Sequence, residues 1–332
     1  MDPEPLRARE GLVEALHRSR ADELDDLHRR HHAQRVRSLI TTWASGWLRR
    51  PRRPVAEPLP DVTPGEVAVT YAGHASAVVR YASLTIACDP MLGHRVGAVR
   101  RATLPGLSAA ELRDTDAILI SHAHPDHLHL PTLRRLPRSA TVVVPPGCAS
   151  LISPLGFARV MELGVGHSVD YRGTEIISTP VRHPTGGGRA SAGYVLRGDG
   201  PSVFFCGDSG YFSGFGEIGR RHHPEIALLP ISGYVSFFGA SRSLRRDHMS
   251  PLDAVFAFED LGARVLIPIR HGAFVLSYET LDEPLDWLTA LIAERGLEPH
   301  VAVLRPGGSR KFSHMTGAPR AAAAAGSPLP PA

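Results

Sequence analysis

The chain has 332 residues, 43% of them hydrophobic and 21% charged, an ordinary balance that leaves ample apolar material for a packed core. Its net charge of +4 is mild and forms no extended basic stripe near the motifs described below, which argues against a nucleic-acid-binding chain. The three cysteines, Cys88, Cys148 and Cys206, are too few and too widely spaced for a disulfide framework, and no apolar run reaches the roughly 18 residues of a membrane span.

The opening "MDPEPLRAREGL" carries acids and no apolar stretch of a secretory signal, so the expected location is cytoplasmic. Residues 1–55 read as a helical N-terminal extension. Leu6, Leu12, Leu16, Leu24 and Leu27 recur at helical spacing among charged residues. A second segment puts Val36, Leu39, Ile40, Trp43 and Trp47 on one helical face with arginines on both flanks. Through residues 34–50 this helix either lies on an anionic membrane surface or docks on the domain that follows. Residues 56–65 are proline-rich and read as a linker.

From residue 66 to 313 the pattern changes to short apolar runs: "VAVTYAG", "AVVRYA", "LTIACDP", "AILISHAH", "TVVVPP", "EIISTPV", "SVFFCGD", "IALLPI", "RVLIPI" and "VAVLRP". These predict strands. Helices are predicted at 108–113, 131–136, 148–156, 251–261 and 279–295. Early strands connect by short turns and later ones alternate with helices, which predicts an α/β sandwich with strands inside and helices outside. Residues 314–332 are of low complexity and read as a disordered tail.

The stretch "SHAHPDHLHL", residues 121–130, follows the apolar strand "AILI". A buried strand therefore delivers His122, His124, Asp126 and His127 at its C-terminal end, where α/β proteins build sites. Imidazole suits zinc, and a carboxylate adds a harder oxygen. His183, Asp208 and His271 each stand just beyond a later apolar strand and supply the same ligand types.

HxHxDH, a later histidine, a Gly-Asp after a strand and a final histidine resemble the metallo-β-lactamase superfamily. The resemblance implies a four-layer αββα sandwich over roughly residues 66 to 310. "VTYAGHASAVV", "CDPML", "DAILISHAHPDHL", "FFCGDSGYF" and "DHMSPLDAV" are similar to the branch containing N-acyl-phosphatidylethanolamine phospholipase D and its bacterial relatives. The ascorbate-6-phosphate lactonases are more distant. Carried over, the resemblance implies two zinc ions per chain. His122, His124 and His183 would hold the first, Asp126 and His127 the second, and Asp208 would bridge them. Two such ions about 3.5–4 Å apart share a hydroxide that attacks phosphorus or a carbonyl carbon.

The family's last ligand histidine sits in an "I-H-x-G-x-F" context, whereas this chain reads "PIRHGAF". Strict register puts Arg270 at the ligand position and His271 one place later, and adjacent strand residues face opposite ways. The expectation is that His271 completes the second shell. The alternative is that Arg270 faces the site as a fixed cation able to hold phosphate.

Asp126 and His248 are the candidate catalytic residues. His248 either polarises a substrate oxygen, protonates a leaving group or merely neighbours the helix cap in "SPLD". Asp89 ends a strand and is placed to accept a hydrogen bond from a ligand histidine; His74 contacts substrate or caps a turn. The leading reading is a zinc-dependent hydrolase of a phosphodiester, with a small-molecule or phospholipid substrate. The alternatives are a hydrolase of lactones or other cyclic esters and amides, and a metal-binding scaffold with little turnover.

Overall fold

A computed structural model describes residues 50–314 apart from 56, 186, 234–246 and 278. The predicted helices before residue 50 and the tail after 314 lie outside the described residues. Residues 50–55, assigned above to the helical extension, are non-helical and include a bridge from Arg52 to Thr103.

The apolar runs form strands because both of their faces are covered, so almost every position along them is buried. The first half of the chain supplies β1 (Glu66–Gly73), β2 (Ser76–Tyr81), β3 (Leu84–Cys88), the short pair β4 (Arg95–Val96) and β5 (Val99–Arg100), β6 (Ala117–Leu119), β7 (Thr141–Val144) and β8 (Arg159–Glu162). The second supplies β9 (Ser168–Tyr171), β10 (Thr174–Thr179), β11 (Gly193–Arg197), β12 (Val203–Phe205), β13 (Ile226–Pro230), β14 (Val265–Ile269) and β15 (Ser309–Ser313). They build a seven-stranded sheet in the order β15-β1-β2-β3-β6-β7-β8 and a six-stranded sheet in the order β14-β13-β12-β11-β10-β9. The helices are α1 (Leu130–Leu133), α2 (Ala149–Ile152), α3 (Gly214–His222), α4 (Pro251–Leu261) and α5 (Glu283–Arg295).

Period-two alternation divides the apolar residues among three interlayers. Val67, Val69 and Tyr71 of β1 meet Phe205, Leu228 and Ile267 between the sheets. Val78, Ile118 and Val142 face outward against Leu133 of α1 and Ile152 of α2. On the other side Phe204, Ala227 and Leu266 pack with Phe215 of α3, Val255 and Phe258 of α4 and Leu288 of α5. The architecture is the four-layer αββα sandwich. Among the described residues no helix is long and apolar enough to cross a membrane.

Two local expectations are corrected, and two elements appear that the apolar pattern does not mark. Residues 108–113 form turns rather than a helix, since the stretch is too short to nucleate one. "VAVLRP" makes only a single bridge, Val301 to Leu266. The terminal strand is β15, antiparallel to β1; its "SRKFS" buries Phe312 and little else, so no alternation marks it. Helix α3 was unread because its glycines mask the pattern. Gly219 is required there: a Cβ would lie 2.6 Å from the Leu261 carbonyl oxygen of α4.

Helix α4 begins as "SPLD" predicts. Ser250 accepts from the Asp253 backbone N–H, and the Asp253 carboxylate accepts from the Ser250 N–H at 2.9 Å. This reciprocal cap fixes the chain just after His248. Ser250→Ala is expected to cost about 0.5–2 kcal/mol, read as a lower urea midpoint with an unchanged slope.

Candidate metal centre

Strands β3, β6 and β7 run parallel in one sheet, and β12, β13 and β14 run parallel in the other. The residues just past β3, β6, β12 and β14 meet at one place. Gly207 makes the approach possible: at φ +66 its backbone sits where a Cβ would be 2.3 Å from Ser121 Cβ, a position only glycine fills without strain. Three non-glycine residues here also hold left-handed backbone, His74 at φ 59, Asp89 at φ 41 and Arg270 at φ 60. Such residues cost of order 1–3 kcal/mol each and collect at sites where geometry is over-determined. Two of them tie the sheets together, the Arg270 N–H donating to the His74 carbonyl at 2.7 Å.

His122, His124 and His183 form one cluster whose donor atoms lie within 4.8 Å of one another. His122 Nε2 and His183 Nε2 stand 2.9 and 3.1 Å from His124 Nδ1. The outer nitrogens are spoken for. The His183 Nδ1–H donates to the Asp247 carbonyl at 2.8 Å. The His122 Nδ1–H donates to Ser121 Oγ at 2.8 Å, and that hydroxyl donates to Asp89 Oδ2 at 2.5 Å. Both tautomers are therefore set with the Nε2 lone pair turned inward. Burial first, and neighbouring cationic groups after it, hold all three rings below the ordinary histidine pKa, so they present lone pairs rather than protons. Nitrogens about 2.0–2.1 Å from a shared zinc would stand roughly 3–3.5 Å apart. The tripod fits a metal ion.

The residues assigned to a second ion are arranged differently. The His127 Nδ1–H donates to Asp89 Oδ2 at 2.7 Å, while its Nε2 faces Asp208 Oδ2 at 3.2 Å, both atoms buried without a hydrogen-bond partner. Asp126 accepts from His74 Nε2 at 3.0 Å. Arg270 Nε donates to Asp208 Oδ1 at 2.5 Å, and its Nη2 lies 3.6 Å from Asp126 Oδ2 and 3.1 Å from His248 Nε2. Burial opposes charge on Asp126 and Asp208, but His127 and Arg270 outweigh it and hold both carboxyls well below their usual range.

His271 is not brought to this cluster. Its ring stacks on Tyr71 at 5.3 Å, in the layer between the sheets, and it belongs to none of the donor groups among the described residues. The expected ligand role is corrected to Arg270 facing the centre: the alternating faces at the end of β14, with the left-handed turn at Arg270, send the two side chains apart.

His74 sits in the connection between β1 and β2. It is buried against Phe274 at 5.1 Å and holds Asp126. His248 carries a pKa pushed down to about 3 by burial and then by Arg270, so it is a neutral ring whose Nδ1 is buried without a partner. Its Nε2 accepts from Arg270 Nη2 at 3.1 Å, so the ring braces the guanidinium. Ser121 was missed in the sequence. The only signal was a small hydroxyl residue standing immediately before the first histidine.

The histidines set a pH prediction for chelator-treated protein. His74, His248 and His271 have folded values of about 4, 3 and 4 against 6.5, for burial above all. The unfolded chain takes protons below 6.5 that the fold refuses, so stability falls with pH there. His127 runs the other way. Burial opposes its charge, but Asp208, Asp126 and Asp89 raise it to about 10, so its contribution is full below 6.5 and is lost as pH rises through 10. The thermal midpoint of metal-free protein should peak near neutrality and fall on both sides. A midpoint that is flat from pH 5 to 9 would contradict this assignment of charges.

The model of the Beta-lactamase superfamily domain matches residues 85–271. A Mycobacterium bovis protein is 29% identical over 279 residues, covering 77% of this chain and 72% of its own length. A UPF0173 metal-dependent hydrolase of Methanopyrus kandleri is 28% identical over 249 residues, covering 73% of this chain and 98% of its own. The metallo hydrolase Igni18 of Ignicoccus hospitalis superposes with a TM-score of 0.59 at 23% identity, covering 75% of this chain and 100% of its own.

Proposed function

Because the chain belongs to the beta-lactamase superfamily, we propose that it is a metal-dependent hydrolase, loaded with zinc at the three-histidine tripod and acting on a phosphodiester bond. The observation that carries the reading is the convergence of His122, His124 and His183 lone pairs beside a fixed guanidinium, Arg270. Zinc bound there supplies a Lewis acid and lowers the pKa of water to about 7.

The chain's own residues supply the rest. Arg270 is permanently charged and planar, which matches two oxygens of a phosphate better than one carbonyl oxygen. Its geometry is held by Asp208, whose carboxylate fixes the Nε side and leaves the far edge of the fork toward His248. His248 stands next to that edge as a neutral ring whose Nε2 accepts from Nη2. Asp126, fixed by His74, keeps the cation from swinging away. The likeness of "FFCGDSGYF" and "DHMSPLDAV" to the phospholipase D-like branch supports the same bond class and makes a phospholipid the first natural substrate to try.

Purified protein should hydrolyse bis(p-nitrophenyl) phosphate or N-acyl phosphatidylethanolamine faster than any member of a lactone panel run beside them, with the activity removed by chelator and restored by zinc. Turnover confined to the lactones would replace the phosphodiester with a cyclic ester. No turnover on either class, by protein shown to contain metal, would sink the reading.

A further inference from the structure

We propose that this chain binds one metal ion, in the His122–His124–His183 tripod, and that the Arg270 guanidinium occupies the role of the second. The inference rests on the metal-dependent reading above but not on the substrate. Arg270 spans the two carboxylates that a second ion would share, pairing with Asp208 Oδ1 at 2.5 Å and approaching Asp126 Oδ2 at 3.6 Å. It is only 7% exposed, so this is a built contact and not a passing surface pair.

Three further observations agree. Asp126 and His127 gather within 4.8 Å with His74, and Asp208 with His183 and His248, but no donor group among the described residues holds Asp126, His127 and Asp208 together, as a second ion bridged by Asp208 would need. The Asp126 carboxylate already accepts from His74 at 3.0 Å. The histidine that would complete a second shell, His271, stacks on Tyr71 instead.

The two cations are not chemically equivalent. A guanidinium holds and orients substrate oxygens through fixed N–H donors but does not lower the pKa of water as a metal does. A single-metal centre with an arginine partner therefore keeps the anion clamp and gives up the second source of acid water.

The test is a cobalt(II) titration of chelator-treated full-length protein, followed by visible absorbance and by metal content after gel filtration. Wild type should saturate at one ion per chain. Arg270→His, which restores the ligand type expected at this register, should take up a second. Asp126→Asn should still hold its one ion, because that carboxylate serves the guanidinium. Two ions in wild type would overturn the proposal. So would loss of the bound ion in Asp126→Asn, or Arg270→His and Arg270→Ala both folded and both still at one. Should Arg270→His fail to fold, the wild-type and Asp126→Asn counts decide the matter alone. None of these readouts needs a substrate, so inactivity toward phosphodiesters leaves the inference standing.

Discussion

His122→Ala is expected to empty the centre and to lower kcat/KM by more than the roughly 10- to 100-fold typical when only an outer partner of a metal ligand is lost. His122 is 0% exposed. Its inward lone pair lies 2.9 Å from His124 Nδ1, so removing it leaves two donors where three converge. Asp89→Asn provides the graded comparison. That carboxylate accepts from the Ser121 N–H at 2.7 Å, the Ser121 hydroxyl and His127, touching the tripod only through Ser121. It should therefore weaken metal binding by about 10- to 100-fold while leaving the ion in place at saturation. Metal content and kcat/KM of the two variants check the order. Full metal retention in His122→Ala would mean that the ion sits elsewhere.

Arg270→Ala should act on both stability and rate. It leaves the Asp208 carboxylate, 2% exposed, without its closest cation, and breaking a buried pair in this way typically costs about 3–5 kcal/mol. If the guanidinium also meets charge developing on the substrate, kcat/KM should fall by about 100- to 1,000-fold. Arg270→Lys keeps the charge but not the fork, and should recover stability better than rate. Urea titration of chelator-treated protein measures the first effect and kcat/KM of zinc-loaded protein the second. Loss of stability with unchanged kcat/KM would reduce Arg270 to a structural counter-ion.

The layers of this fold were legible because buried strands read as continuous apolar runs and because α4 announces itself with "SPLD". The strands that escaped notice, such as β8 with its exposed Arg159 and Glu162 and the polar β15, lie at sheet edges where no core imposes a pattern. At the centre the HxHxDH stretch was readable, since ligand type and strand-end position are both sequence properties. Which of Arg270 and His271 turns inward was not. That outcome depends on a left-handed backbone at a non-glycine residue and on its hydrogen bond to His74, nearly 200 residues earlier in the chain. Nor could spacing show that His74 serves Asp126, since the contact forms only when β1 folds beside the loop after β6.

Anomalous diffraction at the zinc edge, from crystals of protein purified without added metal, tests the account most directly. The account predicts one peak, within bonding distance of His122 Nε2, His124 Nδ1 and His183 Nε2, with the Arg270 guanidinium beside it on Asp208. A second peak between Asp126, His127 and Asp208, or a single peak away from the tripod, would contradict it.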